Sequence, residues 1–217
     1  MDFSTLSLEL FTTVLLLLLI GMGPKIALVP FIEKTKHLTP EMRVKVAKRM
    51  VTVGVATALV LFFAGALLLR LLHITSGAVA VAGGIVLALV AIKMALAEEE
   101  TPETGSPVPT DPEKLAVYPL AVPYMLNPVG MTVLIVASEQ ADFAASLMVL
   151  GIVALVGANN WLVFTNIDKL TKRMRPTTLA VSEVVFGILL LAVGVQLIVA
   201  GLGSLGIIEA SPHGGAQ

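Results

Sequence analysis

Two short segments combine proline with residues that loosen a helix, and each lies inside a long apolar stretch. Gly23-Pro24-Lys25 interrupts one apolar stretch, and Asn127-Pro128 with Gly130 interrupts another. Proline removes a backbone donor and clashes with the preceding helical turn, while glycine lowers helix propensity. The sequence therefore predicts two apolar helices that are broken near Pro24 and Pro128.

A break of this kind exposes backbone groups that can bind both an anion and a cation. A helix that restarts after the break presents unpaired N–H groups and the positive end of its dipole, which suit a carboxylate. Carbonyl groups freed from helical bonding would bind an ammonium group or Na⁺. The pattern favours a site for a small zwitterion; a proline kink that only improves packing is the alternative.

Other polar side chains are expected near the same depth. Asn159 and Asn160 lie within a later apolar stretch, and Thr132 follows the second break. Amides at membrane depth either hold helices together or contact a polar solute. The candidate substrate-binding residues are Gly23, Pro24, Lys25, Asn127, Pro128, Gly130, Thr132, Asn159 and Asn160.

Charged residues inside apolar stretches form a second hypothesis. Lys25, Lys93 and Glu183 all fall within about two turns of the cytoplasmic ends of their predicted helices, on the same side of the membrane. A charge at that depth is costly unless it is paired, wetted or snorkelled. Glu183 would pair with Lys25 or Lys93; independent snorkelling of the lysines is the alternative.

Several classes of chemistry find no support. The chain has no cysteine, which excludes disulfides and thiol chemistry. Its three histidines are not spaced with carboxylates as metal ligands would be, so neither a metal site nor a bound cofactor is expected. No nucleophile–base pair or phosphate-binding loop argues for an enzyme, and the net charge of −1 gives no indication of nucleic acid binding.

The elements that must position these residues are membrane helices. Of 217 residues 57% are hydrophobic and 13% charged, and the mean hydropathy is +0.95. So few polar side chains could not cover a surface in water. With about 20 residues per span, the length accommodates about six helices. They are predicted at Leu8–Ile32, Met50–Leu72, Gly77–Ala97, Tyr118–Ser138, Phe143–Phe164 and Thr178–Leu202.

Lysine and arginine are distributed asymmetrically between the predicted loops. The first loop carries Lys34, Lys36, Arg43, Lys45, Lys48 and Arg49, and the fifth carries Lys169, Lys172, Arg173 and Arg175. Basic residues accumulate on the cytoplasmic side of a membrane. Both termini are therefore expected outside, and the first apolar segment is expected to remain as a membrane helix.

The spacing of matching residues favours an internal repeat; an apolar composition shared by all the spans is the alternative. Gly23-Pro24 precedes Asn127-Pro128 by 104 residues, and Gly84 precedes Gly187 by 103. Because each unit holds three spans, the second copy would be inverted, as in many transporters with a midplane site. The predicted organisation is a first repeat at 1–97, an acidic, proline-rich cytoplasmic linker at 98–116, a second repeat at 117–204 and a tail at 205–217.

These features together resemble the MarC family of bacterial and archaeal membrane proteins. The resemblance rests on Gly23-Pro24-Lys25, Ala82–Leu87, Ala91–Met94, Tyr118–Pro128 and Phe186–Leu190, in that order. The family usually has Gly-Pro-Gly at the second break, where this chain has Asn127-Pro128-Val129-Gly130. The resemblance implies exchange or export of small neutral amino acids across the cytoplasmic membrane.

The sequence thus predicts an all-α secondary transporter of two inverted three-helix repeats, with Na⁺ or H⁺ as the coupling ion. Its partners would be a small-molecule substrate and the lipid bilayer, and a homodimer is compatible with so small a bundle. The alternative is a scaffold or assembly protein whose basic cytoplasmic loops bind lipid or a partner. A membrane-embedded enzyme ranks last.

Overall fold

The computed structural model describes residues 8–96, 111–167, 169 and 176–208. The described chain is almost entirely helical and contains no β-strand, which confirms the all-α class. The helices are α1 Leu8–Met22, α2 Pro24–Thr35, α3 Pro40–Leu72, α4 Ser76–Ala95, α5 Pro112–Leu115, α6 Pro128–Gln140, α7 Phe143–Thr165 and α8 Pro176–Ser204. Most of the predicted linker, the end of the tail and the side chains of Lys93 and Glu183 lie outside the described residues.

Within the part of the chain that the structure describes, four helical segments are long and apolar enough to cross a membrane by length and composition: Leu10–Thr35, Pro40–Leu72, Phe143–Thr165 and Gly187–Ser204. A fifth is obtained if Pro112–Met125 and Pro128–Glu139, which meet at 72°, count as one span. The apolar part of α4, Ser76–Ile92, is shorter. The structure thus supports several membrane helices, while the layout of six spans in an inverted repeat stays a prediction.

Local sequence signals begin and end these helices. Thr39 and Asp142 precede α3 and α7, and their side-chain oxygens accept hydrogen bonds from Met42 and Ala145 N–H groups. Such caps satisfy donors that the first helical turn leaves unpaired. At the other end of α3, His73 adopts a left-handed conformation that terminates the helix.

The segment Ala116–Met125 is wound but irregular. Tyr118 and Val122 have extended backbone dihedral angles, each directly before a proline. A residue before proline disfavours the helical conformation because of the proline ring. The segment therefore leads into α6 through a bend instead of continuing as one straight helix.

The two interrupted stretches, α1 with α2 and the irregular segment with α6, cross each other. α1 contacts α6 and α7, whereas α2 contacts the irregular segment and α7. α3 packs against the irregular segment, α6 and α7. The first part of one interrupted stretch therefore lies against the second part of the other, which places the two breaks side by side.

Helix α8 is joined to the molecule mainly through α4. Their glycines face each other: a Cβ on Gly84 would lie 2.6 Å from the Gly194 oxygen, and one on Gly201 would lie 2.6 Å from the Gly77 oxygen. The pairs show that the two helices run antiparallel. Small residues at such a crossing let the backbones approach within contact distance.

Candidate functional site

The site is built on the junction between α1 and α2. Helix α1 ends at Met22, Gly23 is extended with ψ 166°, and α2 begins at Pro24. Gly23 is required for a steric reason, because a Cβ there would lie only 1.9 Å from the Leu19 carbonyl oxygen. The break leaves carbonyl groups at the end of α1 without partners in their own helix.

Asn127 supplies donors for two of those carbonyl groups. Its backbone N–H donates to the Gly21 oxygen at 2.9 Å, and its side-chain Nδ2 donates to the Ile20 oxygen at 2.9 Å. The same amide caps α6, because Oδ1 accepts from the N–H groups of Val129 at 2.9 Å and Gly130 at 3.3 Å. One side chain thus binds the end of α1 to the beginning of α6.

Asn160 of α7 supplies a donor for a third carbonyl group at the end of α1. Its Nδ2 donates to the Met22 oxygen at 2.7 Å and to the Val156 oxygen, four residues earlier in its own helix, at 3.0 Å. The side chain is fully buried, and its Oδ1 has no hydrogen-bond partner among the described residues. The break is therefore held by two asparagines from separate elements.

The two breaks approach to backbone contact. A Cβ on Gly21 would lie 2.3 Å from the Gly130 nitrogen, and a Cβ on Gly130 would lie 2.5 Å from the Gly21 oxygen. Only glycine at both positions permits this crossing. The carbonyl groups of Ile20, Gly21 and Met22, which the sequence suggested as ligands for a cation, are instead bonded to amide groups of the protein.

The predicted site residues are brought together only in part. Gly23, Pro24, Asn127, Pro128, Gly130 and Asn160 lie at or beside the junction. Thr132 is buried one turn further along α6 and packs against Gly83 of α4. Lys25 and Asn159 are exposed on the protein surface. The proposed ion pair with Lys93 or Glu183 stays a prediction, because those side chains are not described.

The sequence did not identify Gly21 as a site residue or Asn127 as a bridge. Gly21 lies three residues before Pro24 and two before the candidate Gly23, where a second glycine loosens the helix. Nothing in the sequence alone pairs it with Gly130, since the two residues are 109 positions apart.

On the side of the predicted basic loop, an open cleft of about 440 Å³ is lined by Arg49, Asp111, Glu113, Lys114, Val117 and Tyr118. Nearby, Lys48 Nζ lies 5.8 Å from the centre of the Trp161 ring, and Lys34 Nζ lies 5.9 Å from that of Tyr124. Arg43 donates to the Thr35 and Lys36 oxygens and so closes the end of α2. This cleft is open and carries charged side chains, and none of its lining residues belongs to the buried junction.

Comparison with known proteins gives a consistent set of relatives. A sequence model described as MarC family integral membrane protein matches residues 8–205. The UPF0056 inner membrane protein YhgN of Escherichia coli is 32% identical over 132 residues, which cover 61% of this chain and 65% of that relative. A UPF0056 membrane protein of Methanocaldococcus jannaschii is 26% identical over 175 residues, or 79% and 85% of the two chains. No solved structure matches.

Proposed function

The chain belongs to the MarC family of integral membrane proteins, as its sequence resemblance predicted, and we propose that it is a secondary transporter for a small neutral amino acid or similar zwitterion. It would act in the cytoplasmic membrane by exchange or export. The names of its relatives state no substrate, and less than two thirds of the Escherichia coli relative is matched, so the proposal rests on the site.

The observation that carries the proposal is the contact of two interrupted helices at Gly21 and Gly130, held by side-chain amides. Non-helical backbone within a membrane is tolerated where it is buried in protein or lines a cavity, and paired breaks mark the binding site in several transporter folds. Hydrogen bonds to a side-chain amide can be exchanged for bonds to a solute, whereas regular helix bonds resist such exchange. Residues at this junction could therefore alternate between closed and solute-bound arrangements.

The charge distribution suits a zwitterion. Two helices, α2 and α6, begin at the junction and direct their positive dipole ends toward it, and α1 ends there with its negative end. A carboxylate and an ammonium group of one small solute would each find a complementary partner. Na⁺ or H⁺ remains the proposed coupling ion.

Transport is tested by counterflow of labelled alanine and glycine in proteoliposomes. We expect uptake above that of protein-free liposomes, and we expect Gly130→Ala to reduce it at least tenfold because its Cβ would force α6 away from the Gly21 oxygen. Gly151→Ala is the matched control, since a Cβ there meets no atom within 4 Å. Absence of counterflow for both amino acids and for other small metabolites would refute the proposal.

A second function, as a scaffold that binds anionic lipid or a partner, is favoured by one observation. Lys36, Lys45, Lys48 and Arg49 are exposed at the beginning of α3 and in the loop before it. Replacing these four residues with glutamine would abolish a scaffold function and leave counterflow unchanged. The opposite result is expected from Gly130→Ala, so the two functions are separable.

A further inference from the structure

The nitrogen and the oxygen of the Asn160 side-chain amide differ in their hydrogen bonding. Nδ2 donates to the oxygens of Met22 and Val156, while Oδ1 is buried and accepts no hydrogen bond from any described residue. The orientation of the amide is settled by these contacts. If the amide were turned over, its oxygen would face two carbonyl oxygens, and both donors would lose their acceptors.

An unpaired acceptor at zero exposure is costly, and buried polar groups in proteins nearly always have a partner. Oδ1 therefore calls for a partner: a water or a solute that donates an N–H or O–H group to it, or a cation that it coordinates. The atom lies at the α1–α2 junction, because the other end of its amide binds Met22, the last residue of α1.

The immediate surroundings favour a donor that belongs to a zwitterion. Helix α1 ends at Met22, so the negative end of its dipole attracts positive charge. Helix α2 begins at Pro24 and receives no cap from the side chain of its N-cap residue, Gly23. The corresponding beginning of α6, in contrast, is capped by Asn127. The unpaired Asn160 oxygen and the beginning of α2 thus lie at the same junction, between Met22 and Pro24.

We infer that Asn160 Oδ1 accepts a hydrogen bond from the ammonium group of the solute, whose carboxylate lies at the N-terminus of α2. This assignment rests on the proposed transport of a zwitterion and names the group that selects its positive end. Asn160 takes over the role that the sequence gave to freed carbonyl groups, since those of Ile20, Gly21 and Met22 are already bonded. Because Asn160 is fully buried, binding requires the helices around the junction to separate.

The chain carries its own reporter for a binding experiment. Its single tryptophan, Trp161, directly follows Asn160 in α7 and is partly exposed. The purified protein in detergent is titrated with alanine, with ethylamine, with propionate and with sodium chloride against choline chloride, and Trp161 fluorescence is recorded. We expect alanine to bind at least tenfold more tightly than propionate, which lacks the ammonium group, and ethylamine to bind measurably.

Two variants test whether the preference for alanine over propionate depends on Asn160. Asn160→Leu should weaken alanine binding at least tenfold and abolish the preference over propionate. Asn166→Leu is the matched control, because Asn166 also lies at the end of α7 and donates to the oxygen four residues earlier, at 2.9 Å, but is exposed. It should bind alanine as the wild type does. If Asn160→Leu does not fold, the ligand series on the wild-type protein decides the matter alone.

The outcomes separate this inference from the transport proposal. Equal affinity for alanine and propionate, a response to sodium alone, or unchanged binding in Asn160→Leu would each overturn the role of Asn160, even if counterflow is observed. A fluorescence response to alanine that requires Asn160, without counterflow in proteoliposomes, would keep the binding site and refute transport.

Discussion

At the scale of single residues, Asn127 and Asn160 distinguish this break from a proline kink. A kink needs only a proline and a solvated or re-bonded carbonyl. Here the side-chain amides of Asn127 and Asn160 donate to the oxygens of Ile20 and Met22, and the Asn127 backbone N–H donates to the Gly21 oxygen between them. Such a network fixes one geometry, and it also concentrates the stability of the junction in two side chains.

Asn127→Ala should therefore destabilise the protein by about 2–4 kcal/mol. The substitution removes the cap of α6, worth about 1 kcal/mol, and leaves the part-buried Ile20 oxygen without its donor, which costs about 1–3 kcal/mol more. Unfolding in detergent, followed by circular dichroism, would measure the change. Asn166→Ala, at an exposed site, should shift stability by less than about 0.5 kcal/mol, and equal effects of the two substitutions would contradict the bridging role.

At the scale of helices, two glycine contacts organise the molecule differently. Gly21 and Gly130 bring the two interrupted stretches together, whereas Gly77 and Gly84 hold α4 against α8. The first contact lies at the break and carries hydrogen bonds across it. The second joins two uninterrupted stretches of helix, where close approach serves packing.

Gly21→Ala should be destabilising although alanine is the better helix former. The added Cβ would lie 2.3 Å and 2.4 Å from the backbone nitrogen and Cα of Gly130, which cannot move without displacing α6. Overpacking of this kind costs about 1–3 kcal/mol. Thermal unfolding in detergent is the measurement.

The control for Gly21→Ala is Gly151→Ala, in the exposed face of α7. That substitution should stabilise the protein by about 0.5–1 kcal/mol through backbone entropy alone. A stabilising effect of Gly21→Ala would mean that α1 and α6 do not cross as closely as they do in this structure.

At the scale of the whole molecule, the membrane topology depends on the bent pair. Pro112–Met125 and Pro128–Glu139 meet at 72°, so the pair either crosses the membrane as one broken span or returns to the side from which it came. The six-span prediction requires a crossing. A re-entrant pair would place α7 and α8 in the opposite direction and change the predicted location of the C-terminus.

Labelling of single introduced cysteines distinguishes these arrangements. Because the chain has no cysteine of its own, the label on this protein reports only the introduced residue. With an impermeant maleimide on intact cells, His73→Cys and Asp142→Cys should react from outside, and Lys36→Cys only after permeabilisation. All three positions are exposed in the structure. Protection of Asp142→Cys in intact cells would establish a re-entrant pair, and reaction of Lys36→Cys would reverse the orientation drawn from the basic loops.

The sequence by itself determined that this protein lies in a membrane and that its fold is all-α. Its apolar stretches exceed what a water-soluble core can bury, and helices satisfy their backbone groups within the segment, so both properties follow from local composition. The helix starts at Pro24 and Pro128 also obey a local rule, because proline acts on its own preceding turn.

Only the tertiary structure decided which residues meet at those breaks. Asn127 lies 107 positions from Ile20 and Asn160 lies 138 from Met22, and no local rule pairs residues at such distances. Asn159 and Asn160 are neighbours in sequence, yet successive helical residues point about 100° apart, so one is exposed and the other buried. The candidate zwitterion site thus became a junction of specific amides only through helix packing, which sets the face that each residue presents.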